Sequence, residues 1–410
     1  MRKLAGKAKP TELRTRDDYT VMDIKHFMQS KAGAARYHSR RLLAAARHRA
    51  HDAQVRRRTQ SGLACATKQR AVAIGLSYGA SSGVSNHIRA LHRFCETPTW
   101  ILPDQDLQPL LSDARSRGIM QHTVESRRLE AFPVVHSHVD PWYTRLAATA
   151  AERGAGWVHT YHTLYFEEDW PDGLQDWQKE SNEVLLTVAP AAHRRIVVSR
   201  WLQRLLDDTH GVTSEFIPNG FDDLRCAAAR PATFESRYRM SGMVLYAGGM
   251  SPIKNPADFV DLAASMPQQQ FAIAGANVSE DSIRALPRNV PSNLRLIGFL
   301  QHEELLSALA GASALVLTSH SEGTPTLLLE ALSTGCPVVA ADSKGTREVL
   351  DSGRFGWLYD AGDTGQLVEA TRKAIGDTQR VAAAREEIPA AYGWSHIAPR
   401  IDRIYRELMR

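Results

Sequence analysis

The sequence predicts an α/β protein built from two doubly wound, Rossmann-like domains that face each other across a cleft. Three observations carry this expectation. The chain has 410 residues, room for two domains that each bury a core of their own. Strand-length apolar runs alternate with helix-length segments along most of it, the pattern of parallel sheets covered on both faces. The alternation comes in two series, which meet around 219–231, where composition turns irregular.

Taken in order, residues 1–70 stand apart. They hold 18 Lys/Arg against 5 Asp/Glu, whereas the remaining 340 residues hold 32 against 40. The net charge of +5 and pI near 9.0 therefore belong to a leader. The body is acidic, which argues against a nucleic-acid-binding protein. Val21, Ile24 and Met28 suit one short amphipathic helix, and an alanine-rich stretch over 37–53 suits a second. Neither has enough apolar surface for a core. The plain reading is a solvated, partly helical or disordered extension. Docking on acidic lipid headgroups ranks second, and RNA or a protein partner third.

The first strand–helix series spans 71–222. Its strands are expected at 71–77, 99–102, 133–136, 156–160, 195–199 and 215–218, with a small-residue loop at 79–83 after the first. The second series spans 223–393, with strands at 243–248, 271–274, 294–297, 314–318 and 337–340. No run of about 18 apolar residues suggests a spanning helix. The basic, polar N-terminus lacks the apolar centre of a secretory signal. Cys65, Cys95, Cys226 and Cys336 show no zinc or CxxC spacing. They read as free thiols of a cytoplasmic protein.

The most informative stretch is 314–340. A buried strand ends near Ser319 and a helix starts near Thr324-Pro325. Thr324 suits an N-cap and Pro325 a first helical position. The free N–H groups of that turn, with Gly323 permitting close approach, suit an anion or a sugar hydroxyl. Glu330 lies within an apolar helix and needs either a solvated edge or a polar partner. Glu322 precedes the helix N-terminus, where simple capping electrostatics could also account for it.

The ordered set Glu322-Gly-Thr-Pro, Glu330-Ala-Leu and Gly335-Cys-Pro-Val resembles the E-x7-E signature of the retaining GT-B glycosyltransferases of family four. Ile217-Pro-Asn-Gly-Phe-Asp222 resembles that family's interdomain turn, Val197-Val-Ser199 the strand end before it, and Gly79 to Gly83 its first glycine-rich loop. Residues 394–410 resemble the terminal helix that crosses back to the first domain. The resemblance covers the chain from about 71 onward. It implies a nucleotide diphosphate sugar as donor, with Glu330 on the ribose, Glu322 on a sugar hydroxyl and the backbone of Gly323, Thr324, Pro325 and Thr326 supporting sugar and phosphate. It also places Gly83, Gly249 and Lys254 at the donor, His138 beside the donor sugar as a catalytic residue and His162 on the acceptor side.

One departure stands out. The family pattern G-R-x4-K reads Gly248-Gly249-Met-Ser-Pro-Ile-Lys254, so Lys254 aligns and Gly249 replaces an arginine. Loss of a bidentate phosphate contact should weaken leaving-group stabilisation unless Lys344 or Arg347 compensates. Asp104-Gln-Asp106 is formally a DxD, but one such triplet is expected by chance, and we expect no metal and no cofactor beyond the co-substrate. The G-x-x-x-G loop lacks the spacing of a dinucleotide oxidoreductase. The sequence thus predicts a metal-independent hexosyltransferase in glycan, glycolipid or glycosylated-metabolite synthesis. Its acceptor could be lipid-linked, reached by a peripheral contact of residues 1–70 with the inner membrane face. Two alternatives remain: a non-catalytic nucleotide-sugar-binding subunit and a GT-B nucleotide-sugar epimerase.

Overall fold

A computed structural model describes residues 31–75, 83–104, 106–127, 129–170, 173–286 and 289–410, with the side chains of 31–43 and 126 left aside. The expected short helix over 21–28 and the loop at 79–82 lie outside the described residues. Two six-stranded parallel sheets form the frame. The first contains β1 (Val72–Gly75), β2 (Thr99–Leu102), β3 (Val134–Ser137), β4 (Gly156–Tyr161), β5 (Arg194–Val197) and β6 (Glu215–Phe216) in the order β2-β1-β3-β4-β5-β6. The second contains β7 (Val244–Ala247), β8 (Phe271–Ala274), β9 (Leu294–Gly298), β10 (Ala314–Leu317), β11 (Val338–Ala341) and β12 (Trp357–Tyr359) in the order β12-β11-β10-β7-β8-β9.

The central strands β1, β3, β4, β8, β10 and β11 are buried at every residue, as strands covered on both faces must be. Strand order reverses between β1 and β3 in one sheet and between β7 and β10 in the other. At such a reversal the flanking connections leave on opposite faces and open a crevice at the strand carboxyl ends. The two crevices open onto a shared cleft lined from both domains.

The chain crosses between the domains twice, side by side. Phe221 N donates to Tyr392 O at 3.1 Å, and Trp394 N donates to Phe221 O at 3.0 Å. The terminal helix Trp394–Leu408 then buries Trp394, Ile397, Ile401, Ile404 and Tyr405 against β1, β3, β4 and β5 of the first sheet. Asp402 fastens it there, accepting from Glu96 N at 2.8 Å and Thr97 N at 2.9 Å.

The leader departs from its expectation. A single helix runs over Lys31–Lys68, and its second half is packed into the first domain instead of standing off it. Val55, Leu63 and Ala66 are buried in the same cluster as Met120, Val124 and Phe132. The stripe is spaced 55, 59, 63, 66, one residue per helical turn, and Thr59 satisfies its buried hydroxyl on Val55 O at 2.9 Å. Arg56, Arg57 and Arg58 project from the exposed faces, with Arg58 paired to Asp106 at 3.3 Å. Among the described residues, no helix is long and apolar enough to cross a membrane.

Candidate active site

The cleft has a volume of about 850 Å³ and takes its walls from both domains. Gly83, the first residue of the helix Gly83–Phe94, lines one side, and Gly248, Gly249, Thr326 and Glu330 line the other. The loops after β7 and β10, which leave the sheet at its point of reversal, are tied to each other. Thr318 Oγ1 donates to Lys254 O at 2.7 Å, and His320 N donates to Ile253 O at 2.9 Å. That brace brings two side chains 68 positions apart into contact: Lys254 Nζ donates to Glu322 Oε1 at 2.6 Å. Both are mostly shielded, which strengthens the pair relative to a surface one. Glu322 is thus the partner of the expected phosphate cation.

The helix after Glu322 begins at Thr326, with Pro325 as its N-cap residue and no side chain closing its first turn. The expected capping role of Thr324 is not observed. Its hydroxyl donates instead to Val198 O of the first domain at 2.8 Å. The loop runs against the first domain before the helix starts, and the hydroxyl is taken up by that contact. The open first turn leaves N–H groups near Thr326, on the cleft wall, without a side-chain acceptor.

Glu330 takes the polar-partner solution. Its Oε1 lies 2.8 Å from His302 Nε2, and this hydrogen bond raises the imidazole's pKa above its ordinary value, against a smaller opposing effect of burial. Both residues line the cleft. A carboxylate so placed can accept from a pair of ribose hydroxyls.

Gly249 stands where a Cβ would meet nothing within 4 Å, so a side chain could start there without a clash. Neither proposed compensating cation is free. Arg347 is held by Asp342, and Lys344 lies over the rings of Phe166 and Trp201, 4.9 and 5.5 Å from their centroids. Asp104 accepts from Leu107 N at 2.8 Å and Asp106 pairs with Arg58, so the DxD serves its own loop and the leader helix.

The two histidines expected at the donor and acceptor are enclosed side chains. His138 and His162 follow the ends of β3 and β4 and are buried, with His138 Nδ1 and His162 Nε2 3.0 Å apart. A third histidine, His87, joins them, its ring centroid 4.8 Å from that of His162 and 5.3 Å from that of Trp394. His87 is the one of the three that lines the cleft. Sequence reasoning missed it because it sits in an ordinary amphipathic helix beside Ile88 and Leu91; its place four residues after Gly83 was the available signal. Burial pushes the His87 pKa down to about 3, against a smaller upward pull from Asn219. No hydrogen bond of ordinary geometry reaches either of its ring nitrogens. His138 and His162 are likewise held well below the ordinary value, first by burial and then by their neighbours. All three are neutral at pH 7. His136, by contrast, is satisfied on both sides, by Tyr405 Oη at 2.6 Å and Thr160 Oγ1 at 2.8 Å.

The trio brings ligating nitrogens within 4.8 Å of one another. A tetrahedral ion with bonds of about 2.1 Å would hold them about 3.4 Å apart. Among the described residues no carboxylate joins the set. As arranged, the cluster is three neutral imidazoles packed together, and it could hold a transition metal only after repacking.

Family models match most of the described chain. "Glycosyltransferase Family 4" takes in residues 35–225 and "Glycosyl transferases group 1" residues 234–390. Glycogen synthase of Mycobacterium tuberculosis is 27% identical over 273 residues, 65% of this chain. The match spans 63% of that relative's own length. Phosphatidyl-myo-inositol mannosyltransferase of Mycobacterium leprae is 29% identical over 364 residues, 80% of this chain and 94% of the relative. Among solved structures, sucrose-phosphate synthase from Thermosynechococcus elongatus superposes with a TM-score of 0.65 at 19% identity, covering 82% of this chain and 98% of that one. Anabaena Alr3699/HepE in complex with UDP-glucose gives 0.67 at 17% identity, covering 82% and 99%. These structures speak to the fold, and the two adjoining models speak to the family. With its two facing Rossmann-like sheets and the Glu322 and Glu330 pair on the second, the chain belongs to family 4 of the glycosyltransferases and has the GT-B architecture.

Proposed function

We propose that this protein transfers a sugar from a nucleotide diphosphate sugar to an acceptor hydroxyl, with retention of configuration and without a metal. The observation that carries the reading is the meeting of Lys254 and Glu322 at 2.6 Å just before an uncapped helix N-terminus, with Glu330 one turn further along that helix. Cation and helix N-terminus suit a diphosphate, and the two carboxylates suit hydroxyl pairs on sugar and ribose. Binding would divide the Lys254–Glu322 pair between the leaving diphosphate and the donor sugar. The acceptor would attack from the face the diphosphate leaves, the phosphate oxygen would take its proton, and the protein would supply position and electrostatic support.

The neutral histidines fit a supporting part. His87 would offer a polar edge to the donor, with His138 and His162 fixing its ring from behind. A relative named as a phosphatidyl-myo-inositol mannosyltransferase favours an acceptor hydroxyl on a phosphorylated or lipid-linked polyol. Gly249 favours a second reading, a nucleotide-sugar-binding subunit without turnover. The experiment that separates them is transfer to an inositol phosphate or a phosphoinositide from UDP-, GDP- and ADP-linked hexoses. Wild-type protein is expected to yield a product whose anomeric configuration matches the donor. Glu322→Ala should lower turnover by about a thousandfold while nucleotide binding changes little. Equal transfer by the variant would remove Glu322 from the site.

A further inference from the structure

We propose that Glu348 is a positioning residue, a latch from the second domain that holds the cleft closed and thereby assembles the 322–326 loop. The inference rests on the reading of that loop as the donor-sugar site.

The helix Arg200–His210 of the first domain starts after Ser199, a residue type that ordinarily caps its own helix. Here Ser199 makes no capping bond, and its buried hydroxyl has no partner. The cap comes from the other domain. Glu348 Oε1 accepts from Arg200 N at 2.7 Å and Glu348 Oε2 from Trp201 N at 2.9 Å. Two charge-assisted bonds to a helix N-terminus are among the stronger polar contacts a half-exposed carboxylate can make. Since Ser199 could close the turn by itself, the helix does not need Glu348 to form. What needs it is the relation between the domains.

That relation bears on the loop. Trp201, held through its backbone by Glu348, donates from Nε1 to Gly323 O at 3.3 Å. Beside it Thr324 bonds Val198 O, and Gly323 lies so close to His162 O that a Cβ there would come within 2.6 Å. From the other side Gly345, in the same short helix as Glu348, approaches Glu322 O so that a Cβ would meet it at 2.2 Å. The loop is therefore clamped between the helix that carries Glu348 and the helix start that Glu348 grips. An opened cleft would keep the helix Lys344–Val349 under the loop but release Gly323 and Thr324 from above.

The test compares full-length wild type, Glu348→Ala, Glu348→Gln and Trp201→Phe by small-angle scattering and by turnover, with UDP and GDP as binding probes. The alanine variant is expected to show a larger radius of gyration and a kcat lowered about tenfold or more. Its dissociation constant for the nucleotide should stay within about twofold of wild type, because the ribose and diphosphate contacts proposed above, at Glu330, Lys254 and the helix start at Thr326, lie within the second domain. Glutamine, which keeps an acceptor without the charge, should fall between. An unchanged radius of gyration in Glu348→Ala overturns the latch, whether or not turnover falls. If that variant does not fold, Glu348→Gln and Trp201→Phe carry the same comparison. Opening without detectable transfer by the wild type would keep the latch and sink the transfer reading instead.

Discussion

Two residues of the cleft carry the sharpest consequences. Gly249 stands where the resemblance expects an arginine, and a Cβ there would meet nothing within 4 Å. Gly249→Arg is therefore expected to raise transfer about tenfold, through a charge-assisted contact to the leaving group. An unchanged rate, measured with the same donor and acceptor, would mean that the leaving charge is already balanced. His87 makes a different prediction. Its folded pKa of about 3 lies below the unfolded value near 6.5, and His138 and His162 shift the same way. Below pH 6.5 the unfolded chain takes up protons that the folded cluster refuses, so stability is lost as pH falls from there toward 3. Thermal melts between pH 7.5 and about 5 should show that decline, and His87→Leu should lessen it. Glu322, Glu330 and Lys254 could be singled out from the sequence because each falls in a motif with fixed spacing. Their partners could not, since Lys254 meets Glu322 and Glu330 meets His302 only after folding. The capping role read for Thr324 failed for the same reason: its acceptor, Val198 O, lies 126 positions away.

At the scale of elements, all eleven expected strands are present: six are short apolar runs buried at every residue, whereas the edge strands β2, β6 and β9 are only partly buried. The twelfth, Trp357–Tyr359, was not legible: it is three residues long, lies at the sheet edge and is only partly buried. The helix Lys31–Lys68 was misjudged for the opposite reason. Its packed stripe uses Val55, Thr59, Leu63 and Ala66, two of them small or polar, among many arginines, so the charge hides the period. The leader is therefore not a dispensable solvated extension throughout. Truncation through residue 68 should lower the melting temperature markedly. Leu63→Ala alone should cost about 2–3 kcal/mol in a denaturant titration, whereas truncation before residue 44 is expected to spare the buried stripe. An unaffected Leu63→Ala melt would place the helix outside the core.

For the whole molecule, the acidic body and the basic leader divide differently from the charge arithmetic. Half of the leader helix belongs to the first domain, and the Lys254–Glu322 pair of the proposed reaction lies in the second. The two domains meet at a double crossing near Phe221 and Gly393, and again where Glu348 and Thr324 reach the first domain. Between those attachments lies the cleft, and the central claim is that it binds a nucleotide diphosphate sugar through Glu330 on its second-domain wall. The most direct measurement is a thermal-shift panel of UDP-, GDP-, ADP- and dTDP-sugars on wild type and Glu330→Ala, since a ligand that binds the folded state raises its melting temperature by mass action. At least one donor is expected to raise the wild-type melting temperature, with the shift largely lost in Glu330→Ala. No shift with any donor, or an equal shift in the variant, would contradict the account.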